Sequence, residues 1–483
     1  MTTALLALLD QTRSAFSQDR VFEHAKALAV AQLLCLGRHT ISGMLTTCGQ
    51  QFTDWSAAYR LFSHERVDCD RLFDIARTAA VDLLESTHPV VALLDDTLLH
   101  KSGRHVHGTA WKRDPLGPKF STNFIWAQRF LQLSVAVPES LPTVPGRARA
   151  IPIDVVHCPT PRKPSKKATA EECQLYALAS HTQRISVKAA ERIIRLRDDL
   201  DHDPGNARRP LILCVDASYT NRTVFAQLPD RTTLIGRVRK DAALWALPEP
   251  DTTTTGHRGR RRCYGNPLPT PEQIRLDASI PWKIIRAFAA GRTFDFRIKS
   301  VGPVRWRPAG GERNLRLIVI EPLAYRPHAK AKMLYRQPAY LLCSDTELDE
   351  QQLLQYYLWR WEIELNFREE KTLLGAGEAQ VRTPAACETV PAFKAAVYAY
   401  LLLAEQAVSR QLVDLPAPRW QRQAPDREPR RSTAKTISLL RSECWAAALG
   451  LETFSGFNEQ DRSNTKPKKI ENSLKDAVLY AMN

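Results

Sequence analysis

Tyr356–Lys371 reads YYLWRWEIELNFREEK. Leu354, Leu358, Trp361 and Leu365 recur at i, i+4, i+7 and i+11, the period of an α-helix. The spacing predicts one unbroken helix, with Trp361 in its core stripe. At about 100° per residue, Tyr357, Arg360, Glu364 and Lys371 share an arc of about 60° beside that stripe. One carboxylate in a row of two cations and a phenol makes a poor core. It suits a site that holds a metal ion and a phosphate chain together. The plainer alternative is a solvated face with ion pairs at helical spacing, Arg360 with Glu364 among them.

Acids placed upstream on strands would favour the site. Val90–Leu94 is a continuous apolar run of strand length that ends in Asp95, Asp96 and Thr97. Leu211–Val215 is a second such run, opened by Pro210 and ended by Asp216. Short runs without alternation suit interior strands covered on both faces. An acid at the carboxyl end of an interior strand projects into the crevice where open α/β sheets bind ligands. Strand alternation sends Asp95 and Asp96 to opposite faces, so only one of them belongs in the site. Three converging carboxylates repel one another unless a cation neutralises them, and hard oxygen ligands select Mg²⁺ or Mn²⁺.

The Tyr, Arg, Glu and Lys spacing of Tyr357, Arg360, Glu364 and Lys371 resembles the YREK signature of bacterial insertion-sequence DDE transposases, the branch that includes the transposon-five transposase. The resemblance spans roughly residues 93–371. It implies an α/β fold with an RNase H-like, retroviral-integrase-like catalytic core and a β-rich insertion between the second aspartate and the glutamate. It implies Asp96, Asp216 and Glu364 as catalytic, metal-binding acids. Asp96 is preferred to Asp95 because the family motif sets the acid directly before a threonine, here Thr97. Tyr357, Arg360 and Lys371 would contact DNA phosphates. Mg²⁺ would be the cofactor, with Mn²⁺ able to substitute. The partners would be double-stranded DNA, as transposon ends and target, and a second copy of the chain in a synaptic homodimer. Rival readings are a non-catalytic DNA-binding repressor and an RNase H-like nuclease without strand transfer.

Composition agrees with a polyanionic partner. The chain of 483 residues carries a formal net charge of +16, which points to nucleic acid first and an anionic membrane surface second. Ten cysteines lie scattered without a CxxC pair, as expected of reduced thiols. No signal peptide is read at the start, and no apolar run is read as long enough to span a membrane. The expectation is a cytoplasmic, nucleoid-associated protein.

The outer parts of the chain complete the expected layout. Residues 1–88 read as a helical DNA-binding region, with a pair of short helices about Gly49 that fits a helix-turn-helix or any small bundle. Residues 89–221 hold the first part of the core, including one long helix over 170–200. Residues 222–345 form the β-rich insertion, where Leu315–Ile320 pairs with the alternating Phe294–Lys299 as a hairpin. That interval also holds a basic loop at 256–262, either a solvated loop or a phosphate clamp, with the net charge favouring the clamp. Residues 346–415 return to the core with the glutamate helix. Residues 416–483 are a basic C-terminal region, partly helical and opened by a Pro-rich linker.

Overall fold

The computed structural model describes residues 1–114, 117–118, 120–139, 144–249, 262–326, 331–409, 412 and 430–448. The Pro-rich linker, the basic stretch near the C-terminus and all but Arg262 of the 256–262 loop lie outside these residues.

Five helices come first: α1 (Thr2–Gln11), α2 (Asp19–Leu34), α3 (Ile41–Thr47), α4 (Ser56–Ser63) and α5 (Cys69–Asp82). Four strands follow: β1 (Val90–His100), β2 (Ala110–Arg113), β3 (Phe124–Pro138) and β4 (Ala148–His157). Next come α6 (Ala170–Thr182), α7 (Ile185–His202), β5 (Leu211–Val215), α8 (Arg222–Ala226) and β6 (Thr232–Arg237). Then come β7 (Leu244–Trp245), α9 (Pro271–Leu276), β8 (Lys283–Ala289), β9 (Arg292–Trp306), β10 (Leu315–Ile320), β11 (Ala324–Tyr325), β12 (Leu334–Tyr335) and β13 (Ala339–Cys343). The last four helices among the described residues are α10 (Glu350–Trp359), α11 (Trp361–Thr372), α12 (Pro384–Val408) and α13 (Thr433–Ala448).

One mixed sheet of 11 strands organises the molecule, in the order β2-β3-β1-β5-β6-β13-β10-β9-β7, with β4 also paired to β3 and β8 to β9. β1, β5 and β6 run parallel, with Leu94 beside Val215 and Val215 beside Gly236. The rest of the pairing is antiparallel. β6 and β13 lie within 222–345, and they extend the sheet of β1 and β5 directly. β9 and β10 form a hairpin, with Val319 opposite Lys299, but it runs over Ile298–Val304, while Phe294–Arg297 of the predicted segment pair with β8.

The sheet buries both faces. Val90, Ala92 and Leu94 join a core with the N-terminal helices, α7 and α12. Val91 and Leu93 join a second core with Leu353, Tyr356, Trp359 and Ile363 of α10 and α11. β1 is therefore apolar at every position up to Leu94, because each side chain meets a covering helix layer. In α12, 94% of the apolar window is buried in the protein. α12 has the length and apolarity to cross a bilayer, which the sequence reading denied. Here that apolar surface covers the sheet.

Two predicted helices are broken. Residues 170–200 form α6 and α7, separated at Gln183 and Arg184. α7 turns Ala189, Ile193, Leu196 and Leu200 inward, whereas α6 buries no residue. The glutamate segment also divides at Arg360: the Arg360 amide bonds the Tyr357 carbonyl and the Ile363 amide bonds the Arg360 carbonyl, both three residues apart. These tighter bonds shift the buried stripe to Tyr356, Trp359, Ile363 and Phe367. Trp361 is consequently 56% exposed and is not part of the core. The turn after α11 passes through Gly375, whose φ of +56° is open to glycine and strained for other residues. A Cβ there would also sit 2.7 Å from the His39 Cβ.

Candidate functional site

The site forms beneath α11, where β5 ends beside the middle of β1, which continues past Asp95 to His100. Asp95 and Asp216 each follow a paired residue, Leu94 and Val215, on adjacent parallel strands. They are near enough that the Asp216 charge disfavours ionisation of Asp95. On the face of Val91 and Leu93, Asp95 meets the Arg360 guanidinium at 3.0 Å. The other arm of the same guanidinium holds Glu364 at 2.8 Å. Arg360 thus joins the strand acid to the helix acid.

Asp96 points the other way. Its neighbours are Tyr219, whose hydroxyl donates to Oδ1 at 2.5 Å, and Arg129, at 3.2 Å from Oδ2. Tyr219 belongs to the core on the N-terminal-helix face. The β1–β3 register agrees: Asp95 lies opposite Gln132, which bonds Asn366 of α11, while Asp96 lies opposite Leu131 of the other core. Of the expected trio, Asp216 and Glu364 lie on the Asp95 side of β1 and Asp96 faces the opposite layer. Asp95, not Asp96, shares the face of Glu364. The physical reason is strand alternation counted against the layer that α11 covers. Asp96 acts on the site from behind: Tyr219 lies three residues after Asp216, so its hydroxyl bond ties the Asp216 turn to β1.

The electrostatics of the pocket are those of crowded acids. Burial pushes the Asp95 carboxyl up to about 7; Arg360 opposes the rise, and the Asp216 and Asp96 charges add to it. Burial works against the Arg360 charge, but Tyr357, Asp95 and Glu364 more than restore it. Tyr357 is half-buried, with the guanidinium 6.0 Å from its ring centroid, and burial raises its phenol. Lys371 is exposed in the last turn of α11. It lies about 10 Å beyond Glu364 along the axis, outside the acid pocket.

A buried polar network fixes α11. Asn366 donates to the Ala150 carbonyl and to the Tyr398 hydroxyl, both at 3.1 Å. The Tyr398 hydroxyl in turn donates to Glu369 at 2.6 Å. Satisfied networks of this kind rigidify what they hold. Neither Asn366 nor Gln132 stands out in the sequence, since only the fold brings them together.

The donor set suits a hard cation. All three acids offer carboxylate oxygen, and Arg360 already presents a positive group between two of them. Among the described residues no group of three Asp, Glu, His or Cys is close enough to hold an ion. Arg360 would have to withdraw for the acids to converge. The histidines after the first aspartates form no ligand set either: His107 packs on His157, with ring centroids 6.0 Å apart, and His157 stacks on Phe130.

A mixed α/β sheet that sets Asp95 and Asp216 on adjacent parallel strands is consistent with a nuclease fold. Residues 12–300 match the DDE superfamily endonucleases, and the chain belongs to that family. The matched segment contains Asp95, Asp96 and Asp216 and ends before the glutamate helix. No curated protein matches the chain. DDE endonucleases generally use divalent metals and act on DNA, so the family supports a nuclease or transposase.

Proposed function

We propose that the chain is a cut-and-paste DDE transposase that binds the terminal inverted repeats of an insertion sequence, cleaves there and joins the freed 3′ ends to target DNA. The observation that carries this reading is the link from Asp95 through Arg360 to Glu364, with Asp216 on the adjacent strand. In this reading β1, β3, β4, β5 and β6 with α7 form an RNase H-like core. β7 to β10 form the β-rich insertion. Residues 1–88 supply a DNA-binding region, and residues 416–483 add a basic tail.

Asp95, Asp216 and Glu364 would hold Mg²⁺, or Mn²⁺ in its place; bound there, the ion would supply an activated nucleophile and charge neutralisation at the leaving oxygen. The residues themselves prepare the exchange. Arg360 can trade its two carboxylates for a DNA phosphate through the same two-pronged geometry, which frees both acids. Tyr357, beside Arg360, can donate its hydroxyl to that phosphate. Lys371 adds a point charge further along the strand of DNA. The protein would act as a homodimer that pairs two ends, in the cytoplasm with the nucleoid.

The test is an assay on DNA carrying the element's ends, with Mg²⁺. The parent should yield cut and joined products. Glu364→Gln should cut on the order of 10³-fold more slowly, the equivalent of losing several kcal/mol of metal-borne stabilisation, while still binding the ends. Cut products that never join would favour a nuclease without strand transfer. If Glu364→Gln cuts as fast as the parent, the reading is wrong.

A further inference from the structure

The edge hairpin of β2 and β3 carries aromatic rings that the fold leaves in solvent. Trp111 is 66% exposed and Phe124 is 55% exposed. In the β2–β3 register Trp111 lies beside Trp126 and Arg113 beside Phe124, so these four side chains share one face. The two indoles meet edge-on with centroids 5.5 Å apart. The Trp126 Nε1 donates to the Gly103 carbonyl at 3.0 Å, which anchors that ring and leaves Trp111 as the free platform.

Position and charge identify the occupant. Along β3 the same side of the strand continues through Gln128 and Phe130 to Gln132, all three buried, and Gln132 lies opposite Asp95 and bonds α11, which fixes the spacing between the rings and the acids. From Trp126 to Gln132 is about 20 Å at 3.3 Å per residue. That is about six nucleotides at 3.4 Å each. Residues 97–138 contain six Lys or Arg and one acid, Asp114. An aromatic shelf in a cationic segment suits stacked bases beside a phosphate backbone, because every base has a π-face.

We infer that the face formed by Trp111, Arg113, Phe124 and Trp126 binds unpaired DNA bases, about six nucleotides from the phosphate held at the acids. The inference rests on the endonuclease reading for that spacing, but the binding itself needs no cleavage. The experiment uses the full chain in EDTA, with a single-stranded oligonucleotide carrying 5-iodouracil and its blunt duplex as control. Photocrosslinks should map to Trp111 or Phe124 with the single strand and be weak with the duplex. Replacing both rings by alanine should raise the single-strand Kd by about tenfold or more, with the melting temperature unchanged because both rings are exposed.

Crosslinks confined to other segments, with unchanged affinity in the double variant, would overturn the inference. So would a double variant that alters only self-association, which would make the face a protein contact. A parent that crosslinks at Trp111 but never cuts DNA would sink the transposase reading and leave this one standing.

Discussion

Asp95→Asn is expected to slow Mg²⁺-dependent DNA cleavage by about 10³-fold, and Asp96→Asn to leave it within about tenfold of the parent. The two residues are adjacent, equally acidic and on one strand. They differ in the layer they face. Asp95 meets Arg360 and the Asp216 charge, whereas Asp96 accepts from Tyr219 and pairs with Arg129. An amide at Asp95 removes a ligand charge. An amide at Asp96 keeps an oxygen that can still accept the Tyr219 hydroxyl, so the Asp216 turn stays in place. Rates measured side by side on one DNA substrate check this. The reverse ranking would mean that the acid before Thr97 does the chemistry and that the face assigned to Asp95 is wrong.

Lys394→Met is expected to destabilise the protein by about 3 kcal/mol and to flatten its stability in alkaline solution. Lys394 is a charged residue type in the otherwise apolar middle of α12, and it is fully buried. Its amine donates to the carbonyls of His39 and Gly375, the latter at 2.8 Å. It therefore pins the turn that ends the glutamate helix to the N-terminal helices. Methionine leaves the His39 carbonyl unpaired, at about 1–3 kcal/mol, and removes one of the two donors to the Gly375 carbonyl, which still accepts from the Glu378 amide at 2.9 Å.

Burial lowers the Lys394 ammonium to about 7 from an ordinary 10.5. Between those values the unfolded chain binds more protons than the folded one, so this group's contribution rises with pH across that window. It is complete above the unfolded value and lost as pH falls through about 7. Urea unfolding at pH 7 and pH 9 checks both parts: the gap between parent and Lys394→Met should widen at the higher pH. A constant gap would mean that the buried amine keeps its proton.

Much of the frame is legible in the residues. The apolar runs Val90–Leu94 and Leu211–Val215 are the first half of β1 and the whole of β5, and each leads into an acid. A hairpin onto Leu315–Ile320 does form, but its partner is Ile298–Val304; of the alternating Phe294–Lys299 only Ile298 and Lys299 join it, and Phe294–Arg297 pair with β8 instead. The face of each acid was not legible, and the apolar runs themselves explain why. A strand buried on both sides shows no alternation, so nothing marks which side Asp95 occupies until α11 is in place. The family-like Asp-Thr order then pointed to Asp96. The breaks at Gln183–Arg184 and Arg360 were hidden for a related reason: neither involves Gly or Pro, and both answer to packing. Trp361 followed from the second break, since a shift of the stripe by a few residues turns an indole outward. α12 shows the opposite error, in which an apolar length was missed because Lys394 and Glu405 interrupt it. Both are buried, Lys394 against carbonyls and Glu405 beside Arg149 and Arg431.

The most direct test of the whole account is anomalous scattering from crystals of the protein bound to end DNA and soaked in Mn²⁺. The account predicts a manganese peak ligated by Asp95, Asp216 and Glu364, with the Arg360 guanidinium moved onto a DNA phosphate. A peak on the Asp96 side of β1, or none while Arg360 still bridges Asp95 and Glu364 with DNA bound, would contradict it.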